Sequence, residues 1–285
     1  MSHPRTTEPF SNAALLTEAG STQAVRRTMF FYVWVVFFFS AKAATLALLW
    51  FHHYGWAVAV LFLPAPWYAY QILKPSARGL GPVVTHFSTQ NREVWLTIDD
   101  GPDPESTPKV LALLEAHDVR ATFFLIGEKV QRHPELVAEI LRRGHTIGNH
   151  TQTHPYHWFW FGPANKTAKE IDICADTLRA AGAGSTQWFR SPVGLRNPAL
   201  HALLAQRGLD LILWSARGYD TACRDPAKVV SRIADNLQPG AILLLHENVP
   251  EASNRTELFS KLFAHLSREG YTCVIPSSDA LLREG

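Results

Sequence analysis

The sequence predicts an α/β domain of about seven parallel strands that closes, or nearly closes, into a β/α barrel, preceded by an N-terminal helical hairpin embedded in a membrane. Three observations predict it. From residue 94 onward, short apolar runs alternate with helix-patterned segments, as in a parallel sheet with crossover helices. Ionisable residues recur just after those runs, at the strand ends where such folds concentrate their chemistry. Two earlier apolar stretches are long enough to cross a bilayer.

The chain has 285 residues, enough for one large domain and something small. Its 27 basic and 25 acidic residues leave a net charge of +2, which gives no indication of a nucleic-acid partner. Cys174, Cys223 and Cys273 are odd in number and widely spaced. That indicates neither a disulfide framework nor a thiolate zinc site. Buried free thiols are expected, mildly favouring a reducing compartment.

Four segments follow in order: a polar mobile tail over 1–27, two transmembrane helices over 28–75, a linker over 76–92 and the α/β domain over 93–285. The first apolar run opens at Met29 and reaches Phe51, too long and too aromatic for a signal-peptide core. Lys42 lies inside it and must snorkel or pair. The second run, Trp56 to Leu73, is interrupted by Pro64 and Pro66 and ends in Trp67, Tyr68 and Tyr70, an aromatic belt of the kind found at membrane interfaces. The alternative is one span followed by an interfacial segment. Arg26 and Arg27 precede the first run, and Lys74 and Arg78 follow the second. The positive-inside rule then leaves both ends and the large domain in the cytoplasm. A single span would put that domain on the other side.

In the domain, strands are expected at 94–100, 121–127, 145–149, 186–190, 209–214, 240–245 and 271–275. Helices are expected at Pro108–His117, Glu135–Arg143, Thr167–Ala181, Pro198–Arg207, Pro226–Leu237 and Glu257–Glu269. Gly144, Gly208 and Gly270 fit C-terminal caps before the next strand.

The first strand ends in Asp99 and Asp100. Side chains alternate along a strand, so the two point different ways, one available to a metal and the other to a proton. They could equally cap the helix that begins near Ser106. His150 and His154 follow the third strand; two imidazoles and a carboxylate such as Asp100 make a common set for a catalytic divalent metal, although a surface pair is the plain alternative. Arg190 follows the fourth strand and can hold a carboxylate bidentately. Asp220 follows the fifth, and His246, a candidate proton donor, ends the sixth. So many ionisable residues on one rim argue for an active site.

Thr97-Ile98-Asp99-Asp100-Gly101-Pro102, then His150-Thr151-x-x-His154, then Arg190-x-Pro192-x-Gly194, then Leu244-Leu245-His246 resemble the ordered motifs of the polysaccharide deacetylase (NodB-homology) family, carbohydrate esterase family four. The likeness covers roughly residues 93–275. It implies a distorted, incomplete barrel and a hydrolase that removes an N-acyl group from an amino sugar. It implies that Asp100, His150 and His154 bind a divalent metal, zinc first, with cobalt, manganese, nickel or magnesium as alternatives. It assigns Asp99 as the general base that activates water, and Arg190 as its orienting partner. The Val193 N–H, with the metal, stabilises the oxyanion; His246 protonates the leaving amine and Asp220 sets its charge.

The chain departs from the family pattern at Ser191, Val193, Arg217, Thr221 and Glu247. These residues alter the pocket walls and leave the acyl group open between acetyl, formyl and something larger. Tyr156-His157-Trp158-Phe159-Trp160-Phe161 follows the histidine pair. These rings could stack on sugars, enter the membrane interface or pack over the barrel. With the anchor, they point to a glycolipid or lipid-linked sugar, or a cell-envelope polysaccharide, as the substrate. Two further readings are an O-acyl sugar esterase using the same site and a catalytically silent, membrane-anchored carbohydrate-binding module. The sequence leaves the oligomeric state open.

Overall fold

The computed structural model describes residues 29–247 and 255–284; the expected tail over 1–27 lies outside them. Three helices come first: α1 (Met29–Trp50), α2 (Tyr54–Phe62) and α3 (Ala65–Leu73). The stretches Tyr32–Trp50 and Tyr54–Leu73 are long and apolar enough to cross a membrane. Trp34 stacks on Trp67, with ring centroids 5.2 Å apart. The Lys42 ammonium donates to the Leu61 carbonyl at 3.3 Å, so this charge finds its partner across the hairpin.

The domain then runs β1 (Val83–Phe87), β2 (Glu93–Gly101), α4 (Thr107–Ala116), β3 (Ala121–Leu125), α5 (Gly127–Arg132), α6 (Pro134–Arg142), β4 (Thr146–Asn149), α7 (Ala164–Ala180) and β5 (Trp188–Phe189). After a 3-10 turn at Pro192–Gly194 come α8 (Leu200–Ala205), β6 (Asp210–Leu211), β7 (Ala216–Arg217), α9 (Pro226–Ala234), β8 (Ile242–His246), α10 (Arg255–Arg268), β9 (Thr272–Cys273) and β10 (Leu281–Glu284). The main sheet orders its strands β6-β5-β4-β3-β2-β8-β7, with β9 beside the start of β2. Every pairing within it is parallel. The expected incomplete α/β barrel is therefore present.

Its membership differs from expectation in one strand. The seventh member of the curved sheet is β7, only two residues long, whereas 271–275 contributes β9 off the main path. Two residues carry no readable period. The helix expected to begin at Glu135 is preceded by a separate one, α5. The two meet at His133, before Pro134, because proline disfavours helical backbone in the residue before it.

Residues 76–92, expected to be a linker, contain β1. This strand pairs antiparallel with β10 and lies across the open seam of the barrel. The Leu213 N–H donates to the Val84 carbonyl at 2.8 Å, and the Phe87 N–H to the Gly240 carbonyl at 2.9 Å. A Cβ on Gly240, whose φ is +80°, would stand 2.0 Å from the Phe87 oxygen, so only glycine allows the crossing.

Period-two alternation in β2 sets up the site. Val94, Leu96 and Ile98 enter the core under the helices, with Leu114, Phe123, Leu243 and Phe259. Trp95 packs inside the barrel with Phe124, Trp188 and Ile242. Thr97 and Asp99 share the face of Trp95, so Asp99 tops an interior column at the strand's carboxyl end.

Candidate active site

Asp99 is buried, and its Oδ1 accepts from Arg190 Nη1 at 2.7 Å. Arg190 is fully enclosed and uses its whole fork. Nη1 also donates to Thr97 Oγ1 at 2.8 Å, Nε to the Ile212 carbonyl at 3.0 Å and Nη2 to the Leu213 carbonyl at 3.1 Å. The guanidinium lies over the Phe124 ring at 4.2 Å. Burial pulls its pKa below the ordinary value, and Asp99 works against that fall.

Asp100 turns the other way, on a backbone with φ 71°. Its Oδ1 is 3.3 Å from His150 Nε2 and 3.5 Å from His154 Nε2. The ligand atoms of Asp100, His150 and His154 all lie within 4.8 Å of one another. Burial pulls His154 down to about 4, leaving its ring neutral. His150 Nδ1 is 2.8 Å from the Arg190 carbonyl, which can only accept. That fixes the tautomer and leaves the Nε2 lone pair facing Asp100. Asp100 Oδ1 is buried with no hydrogen-bond donor in reach. An orphaned carboxylate oxygen between two imidazole lone pairs fits a divalent cation. The His150–His154 segment is a loop, not a helix, and His154 has φ 53°.

Across the pocket, His246 Nδ1 meets Asp220 Oδ1 at 3.0 Å, while the His246 N–H donates to Oδ2 at 2.8 Å. Arg255 Nη1 also donates to that Oδ2, at 2.8 Å. Burial alone would pull His246 down; the hydrogen bond and charge of Asp220 outweigh it and hold its pKa above the ordinary value. Asp220 is correspondingly held low against its own burial, by His246 first and then Arg255.

Val193 sits in the 3-10 turn with φ 54° and is 53% exposed. The turn's two closing bonds use the Gly194 and Leu195 N–H groups, so that of Val193 lies outside them. The open pocket, of about 290 Å³, is lined by Asp99, Asp100, His150, His154, Val193 and His246, and also by Tyr156, Trp214, Arg217, Thr221 and Leu244. Arg190 and Asp220 stand directly behind this lining. All eight residues singled out from the sequence thus converge on one pocket.

Several groups escaped sequence reasoning. Lys129 Nζ donates to the Asp100 carbonyl at 2.5 Å. Glu247, expected from the sequence to alter a pocket wall, instead lies beneath the Gly101 turn, where its Oε2 accepts from Thr107 Oγ1 at 2.8 Å. Burial pushes its carboxyl up to about 8. Neither Lys129 nor Arg255 carries a motif; only the fold brings them in. Helix α4 is entered through Asp103, whose Oδ1 accepts from the Glu105 and Ser106 N–H groups at 3.0 and 2.8 Å. Asp99 and Asp100 are thereby freed from the capping alternative. In the aromatic segment, Phe159 is buried against Phe189, whereas Tyr156, Trp160 and Phe161 stay exposed. That segment packs over the barrel through one ring and offers the others outward.

The incomplete barrel and the carboxylates, imidazoles and buried arginine at its rim define the class of α/β-barrel enzymes with a candidate metal centre. A family model described as polysaccharide deacetylase matches residues 87–212. The peptidoglycan-N-acetylglucosamine deacetylase of Bacillus cereus is 30% identical over 214 residues, 72% of this chain and 96% of the relative. The chitooligosaccharide deacetylase of a Bradyrhizobium species is 36% identical over 165 residues, 58% of this chain and 75% of the relative. The crystal structure of the Bc1960 peptidoglycan N-acetylglucosamine deacetylase superposes with a TM-score of 0.63 at 27% identity, covering 67% of this chain and 88% of the other. The chain belongs to the polysaccharide deacetylase family and is a hydrolase of the carbohydrate deacetylase class.

Proposed function

We propose that this protein is a divalent-metal-dependent hydrolase that removes an N-acyl group, acetyl or formyl, from an amino sugar carried on a membrane-associated glycan or lipid. One observation carries the reading: a carboxylate tied to a buried arginine and a histidine tied to a buried carboxylate flank the same Asp-His-His cluster.

Asp100, His150 and His154 would hold the metal, zinc first. When bound, it lowers the pKa of water and polarises a carbonyl. The protein's own groups account for the rest. Asp99 has one oxygen held by Arg190, which aims the carboxylate, so its other oxygen can take the proton of the attacking water. The Val193 N–H faces the oxygen on which negative charge develops. Asp220 raises the His246 pKa and so favours its protonated form; His246 gives its proton to the amine as the C–N bond breaks. Water supplies OH to the acyl carbon, and the products are a carboxylic acid and a free amine. An amide needs that proton more than an ester does, because an amine anion is much the poorer leaving group; this favours N-acyl over O-acyl substrates. A silent binding module has no need of both an acid and a base.

The membrane-associated substrate is supported by the join between hairpin and domain. Tyr68, in α3, donates from its hydroxyl to the Trp160 carbonyl at 2.8 Å. Tyr156, on the same loop, lines the pocket. The rim of the site therefore sits beside the hairpin's end.

The test compares lipid extracts and envelope glycans from cells expressing the wild type or Asp99→Asn by mass spectrometry. A lipid species heavier by one acyl group in the variant supports the reading in full. A change confined to polymer removes the lipid-linked substrate. No change, with metal still bound, removes the enzymatic reading. In vitro, Asp99→Asn should lose about a hundredfold to ten-thousandfold in turnover.

A further inference from the structure

We propose that Arg217 forms a subsite for an oxyanion on the substrate, so that the sugar deacylated carries a phosphate or carboxylate group near its N-acyl nitrogen. This rests on the amino-sugar hydrolase reading and narrows its substrate class.

Arg217 ends β7, where its backbone pairs in register with Leu244, and its side chain lines the pocket opposite the Asp-His-His cluster's loops. Its guanidinium lies 4.5 Å from the Tyr219 ring and 5.2 Å from the Trp214 ring. Two aromatic faces hold the fork flat without using any of its donors. Its Nε is buried and unpartnered.

Asp99 has Arg190, and Asp220 has both His246 and Arg255. Arg217 is paired with no carboxylate among the described residues. Arg232, whose guanidinium lies 5.9 Å from the same Tyr219 ring, adds to the positive potential on this wall. A planar cation, prepositioned by stacking and with no counterion among the described residues, is poised for bidentate recognition of an oxyanion. No described carboxylate of the pocket, Asp99 and Asp100 included, forms an ion pair with it, so the substrate brings the oxyanion. The phosphate of a lipid-linked sugar and the carboxylate of an acidic sugar share this chemistry.

The test uses the full-length, metal-loaded protein in detergent, with three N-acylated probes: N-acetylglucosamine 1-phosphate, N-acetylmuramic acid and neutral diacetylchitobiose. The readout is the ratio of kcat/KM on each anionic probe to that on the neutral one. Arg217→Gln should lower that ratio by about tenfold to a hundredfold, the range of one charge-assisted hydrogen-bonded contact, mainly through KM. Arg217→Lys should restore part of it, and Arg217→Glu should favour the neutral probe. Whether phosphate or carboxylate shows the larger drop identifies the anion. A ratio unchanged by Arg217→Gln overturns the proposal, and so does an equal loss on all three probes, which marks a purely structural arginine. If no probe is turned over, the hydrolase reading falls, but the subsite is still tested by thermal shift. N-acetylglucosamine 1-phosphate should raise the Tm of the wild type and not of Arg217→Gln. Equal shifts would sink the subsite.

Discussion

Val193 combines a branched side chain with left-handed backbone, a conformation that costs such a residue about 1–3 kcal/mol. It does not stand alone. Asp100, at the end of β2, and Thr151, His154 and Tyr219, in loops around the pocket, also have positive φ. Strain of this kind persists where the surroundings dictate it, and it marks the segments that aim site groups. Two substitutions separate backbone from side chain at Val193. Val193→Gly keeps the N–H and accepts the φ, so turnover should stay within a few fold. Val193→Pro lacks the N–H and cannot adopt the φ, so turnover should fall about a hundredfold or more. Equal rates for the two variants would remove this N–H from the chemistry. The His246–Asp220 pair makes a separate residue-scale prediction about pH. Asp220 raises the His246 pKa against its burial, so the protonated acid persists to a higher pH than an ordinary buried histidine allows. Activity is lost as pH rises through that folded pKa. In Asp220→Asn the raising contribution goes and burial remains, so the alkaline limb of kcat/KM should move to lower pH. An unmoved limb would mean another group sets it.

At the scale of elements, legibility followed period and length. β2 and β8 are long, apolar and end in ionisable residues, so their place and their cargo of Asp99, Asp100 and His246 could be read from the chain. β1 and β7 could not. β7 is two residues long, and β1 takes its role from bonds to distant Gly240 and Leu213 that no local pattern announces. The same holds for Glu247, whose meaning lies in its contact with the Gly101 turn: a Cβ on Gly101 would stand 1.6 Å from its Oε1. The join between hairpin and barrel was also invisible. Arg196, fully buried, donates to the Ala77 carbonyl and, at 2.5 Å, to the Lys74 carbonyl, clasping the chain where it leaves α3. Arg196→Ala should leave the buried Ala77 carbonyl without this donor, at about 1–3 kcal/mol, while the Lys74 carbonyl keeps the Ala77 N–H. The effect is local. Limited proteolysis over 74–82 should quicken severalfold while the α/β core keeps its protection against hydrogen exchange. Cleavage as slow as in the wild type would mean the clasp adds nothing.

The molecule as a whole is a membrane-compatible hairpin hydrogen-bonded to an incomplete barrel, which makes the side of the membrane a chemical question. The cysteines do not answer it. Cys174 and Cys273 are buried and their thiols are pushed up to about 12, so they are inert to oxidation in either compartment; Cys223, expected to be buried, is only half so. The flanking charges carry the argument instead. Arg26 and Arg27 precede the first apolar stretch, Lys74 and Arg78 follow the second, and the 51–55 turn has no lysine or arginine. An even number of spans returns the chain to its starting side, and the basic flanks favour the cytoplasm. Alkaline phosphatase fused at the C-terminus should therefore be inactive, and a green fluorescent protein fused there should glow. The same phosphatase placed in the 51–55 turn should be active. Activity at the C-terminus instead would leave one span, place the pocket outside and direct it to finished envelope glycan. Cytoplasmic placement would direct it to lipid-linked precursors, whose phosphate is the kind of group that Arg217 lacks a partner for.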